Sequence, residues 1–451
     1  MNHLNHAKNT WLLGATLRSR RTRLKRYTFG DQWGDIVLDS NGIPMQEREL
    51  LRKMNHHPAT NNIIRQLVKT VTGCYRMRVK ERAEGKYAEL DARTFEEFLI
   101  SGCAIHRLSR HSDGNGDSVK VSQVNPARFF IDMDHDGTTE FLGELHDMTL
   151  KQIVMRHSHG SRQKAAHIKR VYEGANSRIY HAPRAMLGES VNDSVSFLDA
   201  PQGRHRLIEI WSFETRERLR CHDTKSGAFY YAAMHEVQGI NAENRRRAKS
   251  RHPPINTRWE ITGEWRCRFL SPTGEIIDEY TADSHPYIYN FYPLIDGEIH
   301  SFVEDVIEHQ RNINRLLTLN DRMLATAAKG VLLFPDNQKS PHMSIDETAQ
   351  NWAAPDGVVI YRAIPGLPGP QQVMSSTADL GINGMVEQQL RLIEEISGVG
   401  GALKGATPSS STAAAHYDSQ RESSLTALAD IFESFESFTQ RRDNAVKNFI
   451  S

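Results

Sequence analysis

Tyr292-Pro293-Leu294-Ile295-Asp296-Gly297-Glu298-Ile299-His300-Ser301-Phe302-Val303-Glu304-Asp305 stands at the head of the longest helical pattern in the chain. From Asp296 to about Ala328, apolar residues recur on a helical period, among them Phe302, Val306, Ile313, Leu317, Met323 and Leu324. At a rise of about 1.5 Å per residue, such a helix would reach roughly 45–50 Å. That is far longer than the average globular helix. Glu298, Glu304, Asp305 and Glu308 crowd its first turns and Lys329 its far end. The polarity suits the helix dipole, which acts only near the termini. Gly330 is the expected stop, with short strands predicted at Val331 to Phe334 and Gly357 to Tyr361.

Toward the C-terminus, Pro365 to Pro370 holds Pro365, Pro368 and Pro370 and reads as a loop with little helical option. Met385 to Ile396 predicts an amphipathic helix. Ser397 to Ala415 is rich in Gly, Ser, Thr and Ala and is expected to be mobile. A final helix is predicted from about Ser419 to Phe449, with Leu425, Leu428, Ile431, Phe432, Phe435 and Phe438 on one face.

Toward the N-terminus, residues 201–285 read as a small strand-rich mixed domain set between mostly helical parts. Leu207 to Phe213 is a strand and Glu217 to Asp223 its expected partner. Trp259 to Leu270 and Glu275 to Tyr280 form a hairpin through Ser271-Pro272-Thr273-Gly274, a favourable turn composition. A helical stretch runs from Thr149 to Tyr172, interrupted at His157-Ser158-His159-Gly160-Ser161. Short strands are expected at Val119 to Gln123, Arg128 to Asp132 and Phe141 to Leu145. Thr94 to Arg107 predicts a helix, as does Ala59 to Thr72, capped by Thr60 or Asn61 and ended by Gly73.

Charge is placed rather than abundant. The 451 residues carry 56 Lys and Arg against 55 Asp and Glu, a net +1. That excludes a uniformly basic protein that coats nucleic acid. Arg18, Arg20, Arg21, Arg23, Lys25 and Arg26 nevertheless form a basic arm, and Arg245, Arg246, Arg247, Lys249 and Arg251 a second run. Each reads either as a solvated or protein-binding segment or as a sequence-independent contact to an anionic partner. Cys74, Cys103, Cys221 and Cys267 make no CxxC, which leaves neither a zinc ribbon nor a redox pair. No signal peptide or membrane span is read from the pattern, and a reducing intracellular setting is expected.

Catalytic constellations are missing. Asp132, Asp134, Asp136 and Gly137 match the opening of a calcium loop, but its twelfth position is Gly143 where a bidentate acid belongs. An acidic turn between strands is the plainer reading. His56-His57 and His157-Ser158-His159 lack a carboxylate or cysteine at ligand spacing, and His300 and His309 share no close helical face. No phosphate-binding glycine loop with its lysine, dinucleotide fingerprint or nucleophile elbow occurs. The sequence therefore predicts an assembly component, with no cofactor and no metal.

Several motifs together resemble portal proteins of tailed bacteriophages. They are Gly30-Asp31-Gln32-Trp33, then Asn61-Asn62-Ile63-Ile64-Arg65-Gln66-Leu67-Val68-Lys69 with Gly73, then His285-Pro286-Tyr287 with residues 292–305, then Arg311, Asn312, Asn314 and Arg315. The likeness covers roughly residues 17–450 and is especially to portals of phages or prophages of Bacteroidetes-type hosts. It implies an α+β portal fold with a helical wing and stem and a small mixed clip. On that basis residues 1–30 are a basic arm, 31–148 part of the wing, 149–200 the wing-to-stem region, 201–285 the clip, 286–328 the stem, and 329–451 the rest of the wing with a channel loop and terminal helix.

The resemblance also implies a ring, commonly of twelve subunits, at one capsid vertex, assembled in the host cytoplasm. Double-stranded DNA passes through it without sequence readout. Its partners are the major capsid protein, the terminase large subunit and a head–tail adaptor. Glu298, Glu304, Asp305, Glu308 and Lys329 become stem or channel candidates. Pro365, Pro368, Pro370, Gln371 and Gln372, extending to Ser376, become channel-loop candidates. Many relatives continue into a helical barrel, which this sequence is not expected to form. The rival readings are a metal-dependent nucleic-acid-processing enzyme, resting on the arm and Asp132 to Asp136, and a scaffold that forms no ring.

Overall fold

Residues 292–305 do not enter a helix directly. Pro293–Ile295 and Glu298–Ile299 pair as a tight antiparallel hairpin. Its two loop residues, Asp296 and Gly297, both have positive φ (51° and 81°). An Asp-Gly pair is among the few that take this mirror-image turn cheaply, so the hairpin wins over the helix there. A 3₁₀ turn at Glu304–Val306 follows, and the helix proper runs Ile307–Ala327. Its 21 residues span about 31 Å, shorter than the sequence pattern suggested.

This computed structural model describes residues 3–54, 56–81, 86–113, 116–134, 137–175, 195–327, 331–353, 358–373, 381–401, 403 and 414–450. The helices are α1 (His3–Leu13), α2 (Ala15–Thr28), α3 (Glu47–Lys53), α4 (Ile63–Glu81), α5 (Ala88–Ser101), α6 (Leu150–His157), α7 (Arg162–Ala175), α8 (Val237–Lys249), α9 (Ile307–Ala327), α10 (Ile345–Ala353), α11 (Ile382–Ser397), α12 (Ala414–Ala427) and α13 (Ala429–Ile450). The strands are β1 (Ile36–Leu38), β2 (Pro44–Gln46), β3 (Cys103–Asp113), β4 (Gly116–Gln123), β5 (Phe129–Met133), β6 (Thr139–Met148), β7 (His205–Asp223), β8 (Ala228–Ala233), β9 (Ile255–Leu270), β10 (Ile276–Ala282), β11 (Tyr287–Phe291), β12 (Pro293–Ile295), β13 (Glu298–Ile299), β14 (Val331–Leu333) and β15 (Gln371–Val373). The expected α+β class holds. Two units are distinguished: residues 1–22, 75–301 and 430–451 form the first, residues 23–74 and 302–429 the second.

The first unit is built on an antiparallel sheet in the order β10-β9-β7-β6-β5, with β8 added to β7. Side chains alternate across β7. Leu207 and Trp211 join Leu142, Ile168, Tyr172, Cys267 and Phe269 on one face. Ile208 and Ile210 join Trp11, Phe130, Phe141, Phe197 and Leu270 on the other. The sheet therefore has apolar layers on both sides. Beyond Phe213, β7 continues as one strand through Asp223, paired to β8 and β9. Glu217 to Asp223 is thus not a separate partner strand, because nothing in Glu214–Arg216 breaks the extended chain. Leu219, Cys221, Ala232, Ile240 of α8 and Ile255 form a small core of their own at this end. The neighbours of residues 201–285 are also less helical than expected, since β5 and β6 belong to the same sheet.

A second cluster in this unit is aromatic. Phe95 and Phe98 of α5 meet Phe432 and Phe435 of α13, with the Phe95–Phe435 centroids 5.0 Å apart. Such pairs add about 0.5–1.5 kcal/mol beyond area burial. Arg442, 3% exposed, pairs with Asp91 to tie the two helices again.

Several boundaries differ from the sequence pattern. Helix α5 stops at Ser101 because Gly102 adopts φ 68° as a left-handed cap, and residues 103–107 become strand. Helix α4 runs through Gly73 to Glu81. The Asn62 side chain accepts from the Arg65 amide at 3.0 Å, so Asn62 is its N-terminal cap in place of Thr60 or Asn61. The final helix breaks at Leu428 into α12 and α13. Of the expected strand Gly357 to Tyr361, the described residues 358–361 make one bridge, Lys339 with Tyr361, and Gly357 lies outside the described residues. Gly330 and most of Ser397 to Ala415 lie outside the described residues.

One position in the sheet admits no side chain. A Cβ on Gly143 would sit 2.3 Å from both the Glu209 carbonyl oxygen and the Phe130 ring. Gly143→Ala is expected to destabilise the protein by about 1–3 kcal/mol. Chemical denaturation with an unchanged denaturant slope is the measurement.

Candidate functional site

The motif residues of the second unit converge on one face of α9. Gln310 and Asn314, one helical turn apart, are 0% and 1% exposed. Amides so deeply buried must be fully hydrogen-bonded. The Gln310 Oε1 accepts from the Ile63 and Ile64 amides at 2.9 and 3.4 Å. Those are the first two residues of α4, whose N–H groups have no partner within their own helix. Gln310 Nε2 donates to the Asn61 carbonyl (2.6 Å) and to Asn314 Oδ1 (3.0 Å). Asn314 Oδ1 also accepts the Asn61 amide (3.1 Å), while its Nδ2 donates to Gln32 Oε1 (2.5 Å). Gln32 Nε2 then donates to the Tyr27 carbonyl (2.9 Å) and to Asn62 Oδ1 (3.1 Å). Trp33 Nε1 donates to Thr60 Oγ1 at 3.0 Å. The side-chain amides of Gln32, Asn62, Gln310 and Asn314 and the backbone of Asn61 are thus one hydrogen-bonded chain.

A charged collar surrounds the chain. Glu47 pairs with Arg315 (2.7 Å) and Arg311 (3.5 Å), and Glu308 with Arg311 and Arg23 (both 3.1 Å). Asp35 accepts from Arg23 (3.0 Å), Tyr27 (2.8 Å) and Arg26. Burial alone would raise the Asp35 pKa; the Arg23 and Tyr27 hydrogen bonds and the Arg23 and Arg26 charges outweigh it and leave the carboxyl below its usual range. Farther along α9 the surface opens: Leu319 and Leu324 are exposed. At the other end, His309 Nδ1 lies 2.8 Å from Gln389 Oε1 of α11, where Ile393 is buried.

The remaining sequence candidates scatter. The basic arm is helical, and most of its charge is engaged within the chain. Arg18 stacks on Trp11 at 3.6 Å and donates to its carbonyl. Arg20 donates to the Ile299 carbonyl, Arg21 pairs with Glu97 at 2.7 Å, Arg23 and Arg26 hold Asp35, and Lys25 is half-buried. In the second run Arg247 is fixed on Asp223 (2.6 Å), whereas Arg245, Arg246, Lys249 and Arg251 are exposed. Glu298, Asp305 and Glu308 are exposed and Glu304 is half-buried. Pro365 and Pro368 are exposed and Pro370 half-buried. Gln371 and Gln372 lie in strand β15, opposite Leu333 and Leu332 of β14, and not in a loop. Lys329 and Ser376 lie outside the described residues.

Asp132 lies within β5, opposite Phe141 of β6, and Asp134 follows the strand, its carbonyl accepting the Gly137 amide at 2.9 Å. Asp136 lies outside the described residues. Glu144, one place past the calcium-loop position, accepts from the Tyr287 hydroxyl at 2.9 Å. The acidic-turn reading fits these contacts.

Two charged clusters carry no local sequence signal. His159 and His157 reach Asp278 of β10 at 2.6 and 3.3 Å, with Lys164 at 3.4 Å. Their carboxylate partner comes from more than a hundred residues away, beyond the reach of spacing arguments. Glu144, His146 and Glu209 bring their donor atoms within 4.8 Å of one another. Arg107 already sits 2.9 Å from Glu209, in the place a cation would take, and Trp211 Nε1 donates to the same carboxylate at 2.8 Å. Burial alone would raise the Glu209 pKa. The Arg107 charge and the His146 and Trp211 hydrogen bonds more than reverse that and bring it to about 2.

Residues 89–446 match the family model described as Phage P22-like portal protein. No curated protein matches the chain. The matched span contains the 285–315 motifs and begins after the Gly30–Trp33 and Asn61–Lys69 motifs.

Gln310→Leu removes the side-chain acceptor of the Ile64 amide and one of the two acceptors of the Ile63 amide, which keeps the Asn61 carbonyl at 3.0 Å. A loss of about 1–3 kcal/mol is expected, read by thermal or chemical unfolding. Glu209 gives a pH test. A carboxyl depressed in the folded state contributes stability that is complete above its unfolded pKa and is lost as pH falls from there toward the folded value. The relevant window is pH 4.5 down to about 2. Acid unfolding followed by circular dichroism should be less steep for Glu209→Gln across that window than for the native chain.

Proposed function

The chain belongs to the phage P22-like portal protein family, and from that premise we propose that its ring surrounds a channel through which double-stranded DNA is packaged and ejected. Family membership makes the protein a structural, non-enzymatic component of the virion, located at a capsid vertex. It acts as a homo-oligomeric ring that meets the capsid and the packaging machinery. The finer assignment is twelve subunits, together about 600 kDa from a 51.3 kDa chain. The ring assembles in the host cytoplasm. In this reading residues 286–328, with α9, form the stem, 201–285 the clip that docks the terminase large subunit and later the head–tail adaptor, 149–200 the wing-to-stem region, 1–30 the basic arm, and 31–148 with 329–451 the wing against the major capsid protein. The host is of Bacteroidetes type.

The observation that carries the reading is the match over residues 89–446. Charge supports it. A channel must confine a duplex without gripping it, and a lattice of free lysines and arginines would bind phosphates and resist sliding. Most arm arginines are instead paired internally. The exposed groups Glu298, in the first unit, and Asp305, in the second, are acids and not bases.

Native mass measurement tests the reading. Closed particles of about 600 kDa are expected. A chain that stays a single subunit at high concentration contradicts it.

A further inference from the structure

In the stretch from Val331 to Val373, in the second unit, no apolar side chain among the described residues is fully buried. Strands β14 and β15 close its base through three residue pairs. Within it lie α10 and the Lys339–Tyr361 bridge. Among the described side chains of 332–373, Gln338 alone is buried. It acts through hydrogen bonds: its Nε2 donates to the Pro368 carbonyl (3.1 Å), and its backbone carbonyl accepts from the Arg362 amide (2.9 Å). Meanwhile Leu333, Ile345, Val358, Ile360, Leu367 and Val373 are 46–70% exposed. Leu332, Phe334, Met343, Trp352, Val359 and Ile364 are half-buried, so the apolar burial that offsets the ordering entropy of the described residues is partial. A concentration of exposed large apolar side chains of this kind marks a contact surface.

We propose that this segment is an assembly element, whose apolar side chains are buried against a second copy of this chain in the ring. The inference rests on the portal reading, and it assigns the ring contact to particular residues. Two features select the occupant. A homo-oligomeric ring places an identical chain on either side of every subunit, and closure requires surfaces that meet unlike surfaces on the neighbour. The segment also offers little to phosphates. Its described bases are Lys339 and Arg362, against Asp336, Asp346 and Glu347. Lys339 is bound to Asp336 at 2.5 Å. Glu347 is engaged in capping α10 through Ser344. An apolar surface without a basic rim suits a protein neighbour and not a DNA duplex.

The test compares the native chain, the double variant Ile360→Asp with Leu367→Asp, and the control Met155→Asp, an 83% exposed position on α6. Ring fraction is read by mass photometry at one fixed concentration, and single-subunit melting by scanning fluorimetry. The double variant should lose about tenfold or more of its ring fraction. Its single-subunit melt should stay native, because both positions are exposed there. The control should assemble as the native chain does. Hydrogen exchange needs no substitution: amides of 331–373 should gain protection in native rings over native single subunits. Native rings with no such protection, or a double variant that assembles normally, overturn the inference and leave the ring reading standing. Variants that assemble normally but alter DNA passage overturn it by assigning the segment to the channel. A native chain that never closes a ring overturns both.

Discussion

The second unit depends on the bond between a glutamine side chain and a helix end. Gln310 gives its carbonyl oxygen to the Ile63 and Ile64 amides, and its NH₂ group holds Asn61 and Asn314. Buried amides of this kind contribute little net energy when paired and cost much when unpaired. Their value is geometric. A register slip of α9 by one residue would leave Gln310, Asn314 and the Ile64 amide all unsatisfied. An apolar contact would tolerate such a slip. The network fixes where α9 sits against α4 and Gln32.

That fixity has a direct bearing on assembly. A ring multiplies any error in one subunit's angle by the number of copies before it closes. An element expected to form part of the wall must therefore be set by directional bonds. The ion pairs of Glu47 and Asp35, both largely buried, and of the exposed Glu308 add to this definition around the amide chain. Beyond Asn314, α9 shows Leu319 and Leu324 to solvent, and residues 331–373 show more apolar surface still. Firm internal anchoring next to unburied apolar surface is what an obligate ring subunit needs.

Much of this was legible in the sequence, and the misses have physical causes. Hydrophobic period located α4, α9, α11 and α13, because each buries a continuous stripe. The Ser271–Gly274 turn located the β9–β10 hairpin. The start of α9 was misplaced because the acids after Asp296 resembled a helix N-terminus, while Asp296-Gly297 carried a competing hairpin signal. Strand β7 was read as two because its buried half and its exposed half differ in composition, although the backbone runs through both. The motif residues Gln32, Asn61, Asn62 and Asn314 were recognisable as a set. Their shared role was not, because it joins positions more than 250 residues apart. Separations of 102 and 119 residues concealed the Arg107–Glu209 and His159–Asp278 contacts. The basic arm was legible as charge, but not as charge neutralised by Glu97 and Asp35.

The central claim is that α9, anchored through Gln310 and Asn314, stands in the wall of a closed ring. Cryo-microscopy of the assembled protein, averaged down the ring axis, measures this most directly. The account predicts a central channel wide enough for a duplex, with α9 beside it and Gln310 still bonded to the start of α4. Rings in which α9 lies at the outer rim, or in which the Gln310 contact is broken on assembly, would contradict it.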